Sequence, residues 1–211
     1  MLILHSHGSE SYQNTENYQE ISDHRTLDTD YNMVSVGERL AQQLEAAGIH
    51  VVHDKTLHDQ PSYNESYVEA RKSIQSYLAE YPSIQLVLDL HRDSVEDQSG
   101  NQKGYTVTVE GQKVARLMMV VGTDAGGRNH PNWQENFALA IKLHVQLCKK
   151  TPGICRSISF RTQRFNQDLS AGGLIIEVGA AGNTRQEALL GADALAEGII
   201  ALANGTAGNV Y

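Results

Sequence analysis

The chain has 211 residues, of which 40% are hydrophobic, a size and composition typical of one domain with a substantial core. The formal net charge of −8 argues against a nucleic-acid-binding protein, because such proteins need clustered Lys and Arg. The two cysteines, Cys148 and Cys155, are too few for a disulfide framework or a four-cysteine zinc site. They could pair with each other or remain free thiols, and the sequence favours neither.

Two hydrophobic periodicities alternate along the chain. Short apolar runs predict buried strands, and apolar residues three or four positions apart predict helices. In chain order we expect a strand at 1–4, a long polar loop at 6–30, a helix at 32–47, a strand at 49–52, a helix at 62–81, a strand at 86–90, a hairpin of 105–109 with 114–121, a helix at 135–150, strands at 158–160 and 174–177, and a helix at 184–203.

Two of the predicted helices begin with a capping-box pattern, in which a hydroxyl residue and a glutamate lie three positions apart. Ser62 and Glu65 form one such pair, and Thr184 and Glu187 form the other. Because strands and helices alternate and no linker divides them, we predict one α/β domain over residues 1–211. Its sheet should be mainly parallel but mixed, with helices on both faces.

The first four residues, Met1–Leu2–Ile3–Leu4, already have the composition of a core strand. A natural chain seldom opens directly on such a strand, so we expect a domain taken from a longer protein. No stretch of the sequence resembles a signal peptide or a membrane span. A targeting or anchoring segment is therefore expected outside this sequence.

Residues that can bind a metal follow three of the predicted strands. His5 and His7 follow the first strand, His91 follows the strand at 86–90, and Glu177 closes the strand at 174–177. Ligands of open α/β sheets bind beyond the carboxyl ends of the strands. We therefore expect these side chains to converge at one edge of the sheet.

His7 and Glu10 form an H-x-x-E pattern, in which two ligands on one turn can reach the same cation. Imidazole and carboxylate together suit zinc, and three protein ligands leave a coordination position for water, as in catalytic sites. His91 is the predicted distant ligand. Asp28, before the first predicted helix, could replace Glu10. His5 alternates with His7, so one of the two could be structural, and we prefer His7 as the ligand.

Glu177 is the predicted general base, because a carboxylate at the end of an apolar strand is costly to bury without a partner or a function. It would take a proton from the attacking water and pass it to the leaving amine. A salt-bridge role is the alternative. Arg92 could stabilise the oxyanion that develops on the cleaved carbonyl. Its alternative is a salt bridge to Asp93 or Glu96.

Several other residues could support this site. Asp89 or Asp93 could orient His91 by accepting its second ring N–H. The arginines within 156–164 could line a groove for an anionic substrate, or form a solvated face. The polar segment 166–170 could line the cleft or form a plain turn.

The chain also resembles the stage II sporulation protein P family of endospore-forming bacteria, over nearly its whole length. The segments that carry the resemblance are HGSESY at 7–12, RTLD at 25–28, YNMV at 31–34, DLHRD at 89–93, NQDLS at 166–170 and IIEVG at 175–179. This family is related to zinc N-acetylmuramoyl-L-alanine amidases. The resemblance implies a zinc-dependent enzyme that removes stem peptides from peptidoglycan and cuts peptide cross-links during spore engulfment.

The resemblance also implies site residues, a location and a partner. His7 and His91 match metal positions, and Glu177 matches the catalytic glutamate. Related amidases place a glutamate near the start of the first helix, where this chain has Asp28 and Asp30. Members are membrane-anchored, act outside the cytoplasmic membrane and work with a lytic transglycosylase, stage II sporulation protein D.

Two other functions fit the same residues. A zinc carboxypeptidase would use the same ligands and base, and would need a basic group, such as an arginine of 156–164, to hold a terminal carboxylate. A non-catalytic wall-binding module would retain the fold without zinc. Zinc content and the products formed from intact cell walls would separate these alternatives.

Overall fold

The computed structural model describes residues 1–22 and 24–207. A six-stranded sheet is packed between helices, and a two-stranded hairpin lies beside it. The strands are β1 Leu2–Leu4, β2 Val52–His53, β3 Val87–Asp93, β4 Thr106–Val109, β5 Gln112–Ala115, β6 Leu117–Gly122, β7 Ser159–Arg161 and β8 Gly173–Ala180. The α-helices are α1 Met33–Ala46, α2 Ser66–Glu80, α3 Trp133–Lys150 and α4 Arg185–Ala207, and 3-10 turns cover Tyr63–Glu65 and Gln167–Leu169.

The main sheet has the strand order β2-β1-β3-β8-β6-β7. Strands β2, β1, β3 and β8 pair in parallel, whereas β6 runs antiparallel to β8 and carries β7 in parallel with itself. The prediction of a mainly parallel, mixed sheet in one α/β domain is thus confirmed. The carboxyl ends of β1, β3 and β8 lie side by side, which places the segments after them at one edge.

Apolar side chains cover both faces of the sheet. Leu2 and Leu4 of β1 face α2, where they pack with Ala70 and Ile74, while Ile3 points into the larger core formed with the other three α-helices. Burying one such aliphatic side chain contributes about 1.5–3 kcal/mol. A strand that is apolar at every position is therefore explained by burial on both faces.

Helix α1 is fixed at its start by a buried asparagine. The Asn32 side chain accepts a hydrogen bond from Val34 N at 3.0 Å and donates one to Thr26 O at 3.0 Å. It caps the helix and holds the end of the polar loop with the same amide group. The next residue, Met33, donates its N–H to Glu10 O at 2.9 Å, so the cap also adjoins the H-x-x-E segment.

Two local predictions need correction. The second strand of the predicted hairpin is two strands, because β5 pairs with β4 and then the chain turns at Arg116 so that β6 joins the main sheet. The predicted capping box at Ser62 is also wrong. Ser62 makes no side-chain cap bond, and a 3-10 turn precedes α2. By contrast, Thr184 and Glu187 form the reciprocal bonds of a capping box.

Helix α4 is apolar along most of its length. Among the described residues it is the one helix whose length and composition would allow a membrane span, over Arg185–Gly205. However, α4 packs on α1 and α3, and its Ala188, Ala192, Leu195 and Ile199 are part of the main core. The core thus accounts for the apolar residues on the inner face of α4.

Replacing the cap residue should weaken the fold. Asn32→Ala removes the cap bond and leaves Thr26 O without its buried donor, so we expect a loss of about 1–2 kcal/mol. A domain of this size should then melt about 2–8 °C lower. Thermal unfolding followed by circular dichroism measures the shift. Glu45→Ala, at an exposed position late in α1, should leave the melting temperature almost unchanged.

Candidate active site

A tight turn after β1 carries the H-x-x-E segment. The N–H of Glu10 donates to His7 O at 3.2 Å, which brings the two side chains to the same side of the chain. The N–H and hydroxyl of Ser9, between them, both donate to the buried carboxylate of Asp59. This turn is therefore fixed from the loop after β2, and the position of His7 does not depend on β1 alone.

His91 lies on β3, next to this turn. The rings of His7 and His91 have centroids 5.2 Å apart and planes at 83°. Two imidazoles that bind one tetrahedral zinc, with Zn–N distances of about 2.0–2.1 Å, have ring centres roughly 5 Å apart. His7 Nδ1 is buried and has no hydrogen-bond partner within the part of the chain that the structure describes, as expected of an atom positioned for a ligand. The two rings thus fit a shared metal ion.

Glu10 completes this group of possible ligands. Its Oε2 lies 3.6 Å from His91 Nδ1, and its Oε1 lies 3.7 Å from Arg92 Nη1. Burial by itself would raise the pKa of Glu10, but the nearby Arg92 and His91 outweigh it and lower the pKa to about 2. The carboxylate is therefore ionised, the form that binds a cation. His7, Glu10 and His91 thus lie together at this edge, and binding one zinc ion would require their ligand atoms to move closer together than they are in the structure.

The other ring nitrogen of His91 faces a carboxylate. Asp89, two residues earlier on β3, has its Oδ1 3.0 Å from His91 Nε2, which is within ion-pair distance but without hydrogen-bond geometry. Asp89 is in turn held by the N–H of Ser6, which donates at 2.7 Å, and by the Ser6 hydroxyl. With Nε2 facing Asp89, His91 presents Nδ1 to Glu10 and the possible metal position. Of the two candidates for this role, Asp93 instead pairs with Arg156 at 2.7 Å.

Glu177 lies across the same edge. It is the direct neighbour of His91 in the parallel pairing of β3 with β8, so the two side chains project on the same face. Its Oε2 is buried, and no described residue forms a hydrogen bond with it. Burial is the main reason that its pKa rises to about 8, and the nearby carboxylates of Glu10 and Asp93 add to this shift. An unpaired carboxyl with a raised pKa is suited to proton transfer.

A cavity of about 330 Å³ opens beside Glu177 and gives a substrate access to it. Tyr67, Met118, Arg161 and Phe165 line this cavity, and a larger one of about 580 Å³ shares Tyr67 and Phe165 with it. Basic and aromatic side chains thus surround the approach to Glu177. A chain-like substrate could lie along the two cavities.

Arg92 has partners other than those predicted. Its Nε donates to Ser11 O at 2.9 Å and its Nη2 donates to His24 O at 3.0 Å, while Nη1 faces Glu10. These contacts use the hydrogen-bonding groups of the guanidinium and hold it against the polar loop. The structure therefore gives Arg92 the role of positioning Glu10 and the polar loop, and it does not place the guanidinium at the Glu177 cavity, where the predicted oxyanion role would need it.

The alternative carboxylate ligands lie elsewhere. Asp28 and Asp30 are both exposed, and the Asp30 N–H donates to the Asp28 side chain at 3.1 Å. The structure thus brings Glu10, and neither of these aspartates, to the two histidines. His5 is also turned away, since its ring nitrogens contact Leu90 O at 3.2 Å and His53 Nε2 at 2.9 Å.

The sequence pattern does not identify two aromatic residues that lie at the site. The ring of Tyr63 stacks on His7 with centroids 4.2 Å apart, and the ring of Tyr67 lies nearly parallel to that of His91 at 6.1 Å. Burial raises the pKa of Tyr67, so its hydroxyl keeps its proton and can donate a hydrogen bond. Tyrosines one turn apart at a helix start are common in any protein, and only the fold identifies these two.

The basic and polar segments before β8 have mixed roles. Arg156 pairs with Asp93 and lies over the Tyr105 ring, while Arg164 lies 3.3 Å from Asp168. Gln167 is buried and bonds to main-chain atoms of β6. These side chains mainly fix the loop before β8. Among the predicted arginines, the exposed Arg161 lines the Glu177 cavity.

Solved structures of peptidoglycan amidases have a similar fold. The CwlD amidase of Clostridioides difficile, solved in complex with the GerS lipoprotein, aligns with a TM-score of 0.58, 14% identity and coverage of 97% of this chain and 98% of that chain. The N-acetylmuramoyl-L-alanine amidase AmiC2 of Nostoc punctiforme aligns with a TM-score of 0.56 and 14% identity over 96% of both chains. At such identities the likeness shows the fold alone.

Sequence comparison identifies the family. The stage II sporulation protein P of Bacillus subtilis (strain 168) is 30% identical over an alignment of 211 residues, which covers 93% of this chain and 49% of that protein. The chain thus spans about half the length of this curated relative. A model of the family described as stage II sporulation protein P matches residues 1–200. The chain belongs to the stage II sporulation protein P family.

Proposed function

We propose that this domain is a zinc-dependent peptidoglycan hydrolase, which cleaves the N-acetylmuramoyl-L-alanine amide bond and stem-peptide cross-links during spore engulfment. The observation that carries the proposal is the meeting of His7, Glu10, His91 and the unpaired Glu177 at one sheet edge. Family membership supports a role in sporulation, and the fold shared with amidases supports peptidoglycan as the substrate.

Zinc would be held by His7, Glu10 and His91. When bound, it would polarise the scissile carbonyl and make water acidic enough to attack near neutral pH. Burial together with the nearby His91 lowers the pKa of His7 to about 4, so His7 is neutral and its lone pair is available near pH 7. Asp89 faces the other ring nitrogen of His91, and Arg92 lies beside Glu10, so both ligands have a charged neighbour that favours their orientation.

Glu177 would move the proton. As a carboxylate it accepts a proton from the attacking water, and as an acid it donates that proton to the departing nitrogen. Its side chain faces the cavity of about 330 Å³, from which a substrate amide would approach. Tyr67 lines the same cavity and keeps its hydroxyl proton. We assign it the role of donor to the carbonyl oxygen, in place of Arg92.

The wider assignments follow from the family. Members act with stage II sporulation protein D and are anchored outside the cytoplasmic membrane, so we propose this partner and location for the protein that contains this domain. The GerS lipoprotein is a partner of the C. difficile CwlD amidase, and it is not part of this proposal. A zinc carboxypeptidase is the second candidate function. It is favoured by Arg161, which lines the cavity and could bind the terminal carboxylate of a peptide.

Removing the proposed base should abolish hydrolysis without removing the metal. Glu177→Gln keeps the size of the side chain but cannot accept a proton, so we expect a loss of about 10²–10⁴-fold. Release of stem peptides from intact sacculi and cleavage of short peptides measure the two candidate activities, and bound zinc is measured on the same samples. A variant that digests sacculi at near the parental rate would exclude Glu177 as the base.

The third ligand can be tested with a matched pair of variants. Glu10→Gln should weaken zinc binding by more than about 10-fold, because even residues that only orient a ligand cost 10–100-fold. Asp28→Asn, at the exposed alternative, should bind zinc as the parent does. Titration against a chelator of known affinity gives both values. The reverse pattern would transfer the ligand role to Asp28.

The proposed oxyanion donor can be tested in the same way. Tyr67→Phe removes the hydroxyl and keeps the ring on His91, so we expect kcat to fall by about 10²-fold while zinc content stays constant. Tyr63→Phe is the control, since Tyr63 stacks on His7 but is 43% exposed. Equal effects of the two substitutions on kcat would argue against a specific role for Tyr67.

A further inference from the structure

A second group of possible metal ligands lies at helix α3, on the face of the sheet opposite the cleft. It contains His144 and Cys148, one turn apart on α3, and Cys155, in the segment that follows this helix. One ring nitrogen and the two sulfur atoms all lie within 4.8 Å of one another. Both cysteines are free thiols in the structure. None of these residues is used by the proposed hydrolysis.

The main chain holds the three side chains together. His144 and Cys148 are four residues apart on a regular helix, so they share one face. The segment that contains Cys155 is pinned to the start of β6, because Leu117 N donates to Ile154 O at 2.8 Å and Arg156 N donates to Leu117 O at 2.7 Å. The group is thus formed by one helix and one connecting segment bridged to β6, both of which the core already fixes.

His144 itself indicates a missing partner. Among the described residues, no group forms a hydrogen bond with its buried Nδ1. Buried polar atoms in proteins are nearly always paired, so an orphan nitrogen on a ring that lies beside two thiols needs an explanation. A bound cation supplies one, because imidazole and thiolate are the ligands that zinc prefers.

We propose that His144, Cys148 and Cys155 form a second zinc site, distinct from the one at His7 and His91. Three protein ligands leave one coordination position, which water would fill. The ion would fasten the end of α3 to the segment bonded to β6. Since β6 pairs with β8 next to Glu177, the site would stabilise that edge of the sheet from the face opposite the cleft.

Zinc stoichiometry tests this proposal on the whole domain. After loading with Zn²⁺ and removal of free metal, the parent protein should hold two equivalents by elemental analysis. Cys148→Ser and His144→Ala should each hold one equivalent and retain peptidoglycan hydrolysis. Lys149→Ala, next to Cys148 but exposed, should still hold two. Because two ligand variants are measured, the test remains valid if one of them fails to fold.

Two further measurements identify the ligands and the competing chemistry. Replacement of zinc by Co²⁺ should give a thiolate-to-cobalt charge-transfer absorption that is absent in Cys148→Ser, because the site at His7 has no sulfur ligand. Bound Zn²⁺ should also slow alkylation of the two cysteines. A parent protein with one zinc that Cys148→Ser retains overturns the proposal, as does an intact mass showing a Cys148–Cys155 disulfide in the freshly purified protein.

Discussion

The parallel pairing of β3 with β8 is the constraint on which the site depends. It makes His91 and Glu177 direct neighbours, so a possible metal ligand and an unpaired carboxyl project into one cleft from two of the most buried strands. Strands that are covered on both faces cannot shift register without exposing apolar side chains to water. The spacing between His91 and Glu177 is therefore maintained by the whole core.

Buried charge at this edge is compensated by a chain of pairings. Asp89 is balanced by His91 and held by Ser6, while Glu10 is balanced by Arg92. Buried carboxylates are tolerated when opposite charges and hydrogen bonds replace the lost water. Glu177 is the exception, since no hydrogen bond from the described residues reaches its Oε2 and its pKa is raised. The two buried carboxyls thus differ in environment in the way that the proposed roles of ligand for Glu10 and base for Glu177 require.

The sequence predicted the parts of this arrangement that follow from topology. Strand ends of an α/β sheet meet at one edge, which was enough to bring His7, His91 and Glu177 together. It could not predict side-chain direction within the loop, so Glu10 and Asp28 stayed open alternatives and Arg92 was expected at the cleft. The split of the hairpin strand at Arg116 was missed for a similar reason, because both halves are apolar and only pairing partners distinguish them.

Arg92 has a consequence for how this family can vary. One guanidinium lies beside Glu10 and also donates to the carbonyls of Ser11 and His24, which enclose the middle part of the polar loop. Insertions and deletions between those two carbonyls can be absorbed as long as the loop still closes on Arg92. Changes in length outside them would displace Glu10. Length variation among homologues should therefore concentrate within residues 14–22, since Tyr12 is buried in the core and Gln13 N donates to Asn183 O.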